Sequence, residues 1–318
     1  MFSEDLITLS LKLLSCTQKE LATDLNVSPT QISKWKKGEY MSQEMEERIR
    51  KKIAIGDLNP SLILLTGSVE NAIKWNRLIL FIADLASENA ETGYTTLPLV
   101  EDTEFLSSKI MRIFADVGIK IPTQFPQDLD IDLDIDFEDD DYEVIEQRLN
   151  NNLYACTIKK IFDALNDLYG FYAAYISDFI MNDSLDLFDT DAINIEACLI
   201  DLAITKVDID ISFAPKFYEF TFKINNEYSN WLQIVKNKAF QSGIPLRAEL
   251  LNLVNKSHDE LGHEAEAESL GFNDSRIHPD IYMNEILTGI RVIHQVLPKI
   301  MDKLGIDDFV IDKSNLSL

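Results

Sequence analysis

Cysteine is scarce in this chain of 318 residues: Cys16, Cys156 and Cys198 stand far apart. An odd, scattered set supplies neither a disulfide framework nor a CxxC metal or redox pair, and predicts reduced core thiols in a cytoplasmic protein. Apolar runs of membrane-spanning length are missing, and Glu4 and Asp5 stand where a signal peptide would carry positive charge, so no membrane partner is expected. Catalytic signatures are missing too: there is no GxxxxGK[ST], GxGxxG, HExxH or GxSxG, so neither an enzyme nor a bound cofactor is expected. Positive charge is short overall, with 29 Lys and Arg against 54 Asp and Glu and a formal net charge of −25.

What is present is a hydrophobic fraction of 46%, ample for a packed core, on a chain long enough for two or three domains. The charge is unevenly spread. Residues 1–55 hold nine Lys and Arg against eight Asp and Glu, whereas the remainder holds 20 against 46. A near-neutral head joined to a strongly acidic body predicts that the two parts meet different partners. Asn59-Pro60 breaks the pattern, placing a boundary near 56–62 and domains at 1–57 and 58–318, with a possible sub-boundary in the segment 118–141.

Helical periodicity dominates. In the head it predicts helices over 3–14, 17–25, 29–37 and about 43–55. In the body it predicts them over about 69–89, 103–116, 142–182, 190–206, 229–241, 245–261 and 279–304. Lys206–Phe213 and Lys216–Ile224 alternate around Ala214-Pro215 and read as one β-hairpin. The expected fold is therefore mainly α, a helical head followed by a larger acidic helical domain with a small β element. Pro122 and Pro126 mark a loop between 118 and 128.

The head carries the densest local signals. Leu21, Ala22, Leu25, Val27, Ile32 and Trp35 supply internal apolar contacts, and Asn26 sits in a tight turn where Asn tolerates positive φ. Ser28, Pro29 and Gln31 give an N-cap, a proline at N1 and a capping-box partner at N3, and Gly38 marks the helix end. The stretch TQKELATDLNVSPTQISKWKKGE resembles the helix-turn-helix of the phage-repressor type, that of the Cro and lambda repressors (XRE type), over roughly residues 5–55. That resemblance implies a second helix placed in the major groove of double-stranded DNA. It implies base contacts from Thr30, Gln31, Ser33 and Lys34, and backbone contacts from Thr17, Gln18, Lys36 and Lys37. Lys36-Lys37 departs from the acidic residue followed by Asn, Ser or Arg that is usual there, which strengthens phosphate binding. Gln suits adenine and Lys suits guanine as hydrogen-bond partners.

In the body, Asp128, Asp130, Asp132, Asp134 and Asp136 alternate with apolar residues, which on a strand puts five carboxylates on one face about 6.6–6.8 Å apart. Three readings stand: a hydrated edge strand, a docking face for a basic protein partner, or a mimic of DNA phosphates competing for the lysines of the head. The DxDxDG calcium loop is absent. His258 and His263, five apart, read as a solvated charged helix end rather than a metal site. The expectation is a sequence-specific transcriptional regulator, a repressor-like homodimer on a DNA operator, whose acidic body serves dimerisation and partner or effector binding. The alternative is an antitoxin-like or inhibitor protein whose body neutralises a basic partner while the head autoregulates its operon.

Overall fold

Helix after helix is what the periodicity predicts and what forms. The computed structural model describes residues 3–101, 103–131, 139–242, 244, 248–272 and 279–306, and among these every regular element is an α-helix or a short 3-10 turn. The head contains α1 (Ser3–Leu13), α2 (Gln18–Leu25), α3 (Pro29–Trp35) and α4 (Gln43–Ile53). Beyond it run α5 (Pro60–Thr66), α6 (Val69–Glu88), α7 (Leu97–Val100), α8 (Thr103–Asp116), α9 (Asp139–Asn151), α10 (Leu153–Tyr175) and α11 (Ser177–Ile180). The remainder is α12 (Asn194–Ala197), α13 (Leu199–Thr205), α14 (Phe217–Ser242), α15 (Asn252–Asn255), α16 (His258–Ser269) and α17 (Pro279–Leu304).

The body is built round α10, which packs against α6, α13 and α16. Phe162, Leu165, Leu168 and Phe171 on α10 are fully buried. Gly170 lets Thr92 approach α10 so closely that any Cβ there would collide with its side chain, and Gly262 on α16 does the same for Asp167. At the other end of α10, Tyr154 meets Trp75 at 5.8 Å and Phe213 at 5.2 Å between ring centroids, edge to face. Such pairs each contribute about 0.5–1.5 kcal/mol beyond area burial. No gap separates head from body: α5 packs on α1, α6 and α8. Arg112 on α8 donates to Ser61 Oγ at 3.1 Å and lies 3.8 Å from Asp5 on α1.

The expected hairpin is a correction. Lys206–Phe213 enters a turn in which Asp210 Oδ1 accepts from Ser212 N–H at 2.7 Å and the Asp210 carbonyl accepts from Phe213 and Ala214. The second half, Lys216–Ile224, lies almost entirely in α14. There Phe217, Phe220, Ile224, Tyr228, Leu232, Val235 and Ala239 are buried at helical spacing. Tyr218 and Phe222 lie on the opposite face, about 70% exposed. Residues 220 and 224 satisfy both periods, and the outward aromatics completed a false alternation.

Three long expected helices are each interrupted. Asn152, whose Oδ1 accepts from the amides of Tyr154 and Ala155, restarts the chain between α9 and α10, and Ile176 ends α10. The span 190–206 divides at Asn194 and Cys198. The span 245–261 is broken by Ser257, which caps α16 in a reciprocal box with Glu260. The expected strand over 128–138 also fails where it is described, since Gln127–Leu129 is a 3-10 turn with Leu129 buried. Its residues 132–138 lie outside the described residues.

Candidate nucleic-acid interface

α2 and α3 are held by short-range chemistry that the residues dictate. Thr17 caps α2: its Oγ1 accepts from Glu20 N–H at 3.3 Å, and its own N–H donates to Glu20 Oε2 at 2.8 Å, closing a capping box. The turn falls on Asn26 at φ 55°, ψ 45°, in the left-handed region that Asn enters at low cost. Ser28 then caps α3, accepting from Gln31 N–H at 3.2 Å with Pro29 at the first helical position. α3 ends at Trp35, with Lys36 as its cap and Gly38 at φ 83° in the turn that follows.

One side of α3 is locked. Ile32 and Trp35 are buried, and Trp35 Nε1 donates to the Tyr40 carbonyl at 3.1 Å. The Ser3 hydroxyl, at the start of α1, lies 3.0 Å from the Trp35 carbonyl and 2.8 Å from that of Glu39 and donates to this pair. The turn after α3 is thereby pinned to α1. The other side is open: Thr30, Ser33 and Lys34 are exposed and Gln31 half-buried. At 100° per residue these four share one face, opposite Ile32 and Trp35. Gln31 gives its backbone N–H to Ser28 but does not close the reciprocal bond.

Charges around this face are unevenly engaged. Lys34 lies 3.6 Å from Glu39, an exposed pair of the kind worth about 0–1 kcal/mol. Lys52 is tied to Asp24 at 2.9 Å. Arg50 is consumed internally, bonding Glu46 at 2.8 Å and the carbonyls of Gly56 and Leu58. Lys36 and Lys37 are exposed and form no ion pair among the described residues. At the start of α2, Gln18 is half-buried, and both polar groups of Thr17 are engaged by Glu20. Those two hydrogen bonds hold the Glu20 carboxyl below its ordinary pKa, so an anion already occupies that helix start. Tyr40, 87% exposed, is a large aromatic on the head's surface that the sequence reading passed over. Its signal was an aromatic just past the glycine turn, with no apolar periodicity to bury it.

No family model matches the chain, and neither curated proteins nor solved structures give a match.

The acidic row of the body is partly spent on the chain itself. Asp130 Oδ2 lies 2.7 Å from Lys74 Nζ, and Asp128 Oδ2 accepts from Asn152 Nδ2 at 2.8 Å. Asp132, Asp134 and Asp136 lie outside the described residues. One trio of potential metal donors converges among the described residues, Asp167, His258 and Asp259, with ligand atoms within 4.8 Å of one another. Its geometry is that of a clamp between helices: His258 Nδ1 sits 2.7 Å from Asp167 Oδ2 on α10 and 3.3 Å from Asp259. The hydrogen bond to Asp167 raises the His258 pKa above its ordinary value, against the opposing pull of burial. His258 is thus half-buried and engaged, not the solvated helix end expected of it. An open cleft of about 680 Å³ lies where α1, α4 and α8 face one another, and Glu46, Glu47, Asp57 and Glu104 give it an acidic wall around Arg50. No described helix is long and apolar enough to cross a membrane.

Proposed function

We propose that this protein is a sequence-specific DNA-binding regulator of transcription that reads an operator with the open face of α3. The observation that carries the reading is the division of α3. Ile32 and Trp35 fix its angle from one side, and Thr30, Gln31, Ser33 and Lys34 stand together on the other. A short helix with a capped start and a hydrogen-bonding face is what enters a major groove. Gln31 pairs with adenine and Lys34 with guanine, Lys34 leaving Glu39 at little cost, while Thr30 and Ser33 suit either.

Phosphate contacts come from Lys36 and Lys37, unpaired at the end of α3, and from the phenol of Tyr40 beside them. Gln18 and Thr17 at the start of α2 add a second backbone contact only if the Glu20 carboxylate swings out of the cap. The charge asymmetry then orients the encounter. The body, with 20 basic against 46 acidic residues, repels the duplex, so productive approach is head first. One head is too small for useful specificity, so two heads act as a pair on two half-sites.

Selection of bound fragments from random double-stranded DNA, followed by sequencing, tests this. The expected result is an enriched two-fold symmetric site. In the Gln31→Ala, Lys34→Ala double variant the preference disappears. An unenriched pool, or an unchanged site in the double variant, overturns the assignment.

A further inference from the structure

α17 is unlike every other long helix of the chain. It runs 26 residues, about 39 Å, and among the described residues its largest contact is with the 3-10 turn at 248–251. From Ile290 to Ile300 every residue is exposed, with the large apolar side chains 43–59% open to solvent. Six of the exposed apolar residues, Ile286, Ile290, Ile293, Leu297, Ile300 and Leu304, are spaced alternately four and three apart, with exposures from 39% at Ile286 to 66% at Leu304, while Val292 and Val296 lie off this line. This is the a/d seam of a heptad repeat, with a at 290, 297 and 304 and d at 286, 293 and 300. Pro298, the one residue unable to donate within the helix, falls at b, on the side away from the seam.

We propose that α17 is the self-association element of this protein, packing against α17 of further copies of the same chain as a parallel coiled coil of four helices. Three observations select copies of itself as the occupant. The repeat is self-complementary, since a seam of period 3.5 is met by the same seam on a neighbour. The charge permits it: residues 279–306 balance Asp280, Glu285 and Asp302 against Arg291, Lys299 and Lys303. The whole net charge of −25 therefore lies elsewhere, and this is where copies of so acidic a protein can approach. The extent suffices, because the seam from Ile286 to Leu304 spans more than two and a half heptads. Leu at two of the three a positions and Ile at every d position turn coiled coils from two strands toward three or four, and the flanks favour the larger number. Val296 at g and Met301 at e widen the apolar face as a larger bundle requires. Four copies bring two pairs of heads together. The surface does not depend on whether the heads bind DNA.

Sedimentation velocity on the full chain without DNA, over a wide concentration range, tests it. The wild type is expected to sediment as a tetramer. The double variant Ile293→Asp, Leu297→Asp should sediment as a monomer with its body still folded by circular dichroism, while Gln295→Asp at the outer f position stays tetrameric. A crosslinking arm guards against a variant that fails to fold: Ile293→Cys forms an intermolecular disulfide under mild oxidation beyond any formed by the native thiols, and Gln295→Cys does not. A wild type that is monomeric at every concentration overturns the proposal, whether α17 then folds back on its own body or floats with anionic vesicles. So does an assembly that survives the double variant. A dimer would overturn the four-stranded packing.

Discussion

α3 and α17 are both amphipathic, and they use the property in opposite senses. α3 has seven residues and is finished: its apolar side is buried by its own neighbours, its start is capped by Ser28, and what it shows the solvent is polar. α17 has 26 residues and is unfinished, because its apolar seam faces outward from Ile286 to Leu304. Length therefore does not measure how well a helix is accommodated. Isolated helices as short as α3 are marginal in water, and tertiary wedging by Ile32 and Trp35 holds it in place. α17 forms through propensity and repeat, with little packed against it among the described residues.

Four measurements sharpen or break this contrast. The largest effect falls on the wedge. Trp35→Ala should cost about 3–5 kcal/mol of head stability in urea titration, as removal of a buried Trp does. Ile293→Ala in α17, assayed at concentrations where the wild type is monomeric, should change body stability by no more than about 0.5 kcal/mol. Equal losses would dissolve the distinction. Next comes the polar side of α3: the Gln31→Ala, Lys34→Ala variant should lose about 1–3 kcal/mol of discrimination at each base pair it reads, measured by competition binding. In the same assay Lys37→Ala should weaken all sequences alike and flatten the salt dependence by about one unit of slope. A Lys37→Ala effect confined to one sequence would move that residue to the base-reading set.

A smaller effect belongs to the cap. Ser28→Ala should destabilise the head by about 0.5–2 kcal/mol with its DNA preference intact, because the cap positions α3 without touching the readout face. The smallest belongs to the body's own clamp. The hydrogen bond to Asp167 raises the His258 pKa above the ordinary 6.5, so its contribution is fully present below that pH and is lost as pH rises through the folded value. The difference in melting temperature between wild type and His258→Gln should therefore be widest on the acid side and shrink upward. A gap that widens with pH would mean that the neutral imidazole makes the stabilising bond.

Chemistry within a few residues was the legible part of both regions. The positive φ at Asn26, the Ser28 cap and the proline at N1 each depend on residues that adjoin in sequence, and the span 279–304 of α17 emerges at its predicted ends because its periodicity is unbroken. Two capping boxes went unread although Thr17-x-x-Glu20 and Ser257-x-x-Glu260 spell them, while Ser28-x-x-Gln31 realises only the backbone half. The hairpin misread came from a nine-residue window, too short to tell period 2 from 3.6 when outward aromatics fill the alternate places. His258 was opaque for a different reason: its partner Asp167 is 91 residues away, and nothing local announces it. The periodicity of α17 signals an apolar face but says nothing about whether that face is covered.

The joint between head and body has a mechanical meaning. Because α5 lies on α1 and Arg112 reaches both Ser61 and Asp5, the head that carries α3 is mounted on the body as on a bracket, not slung from a tether. A head so mounted cannot swing on its own, so the angle of α3 is set by the packing of the body as much as by its own cap.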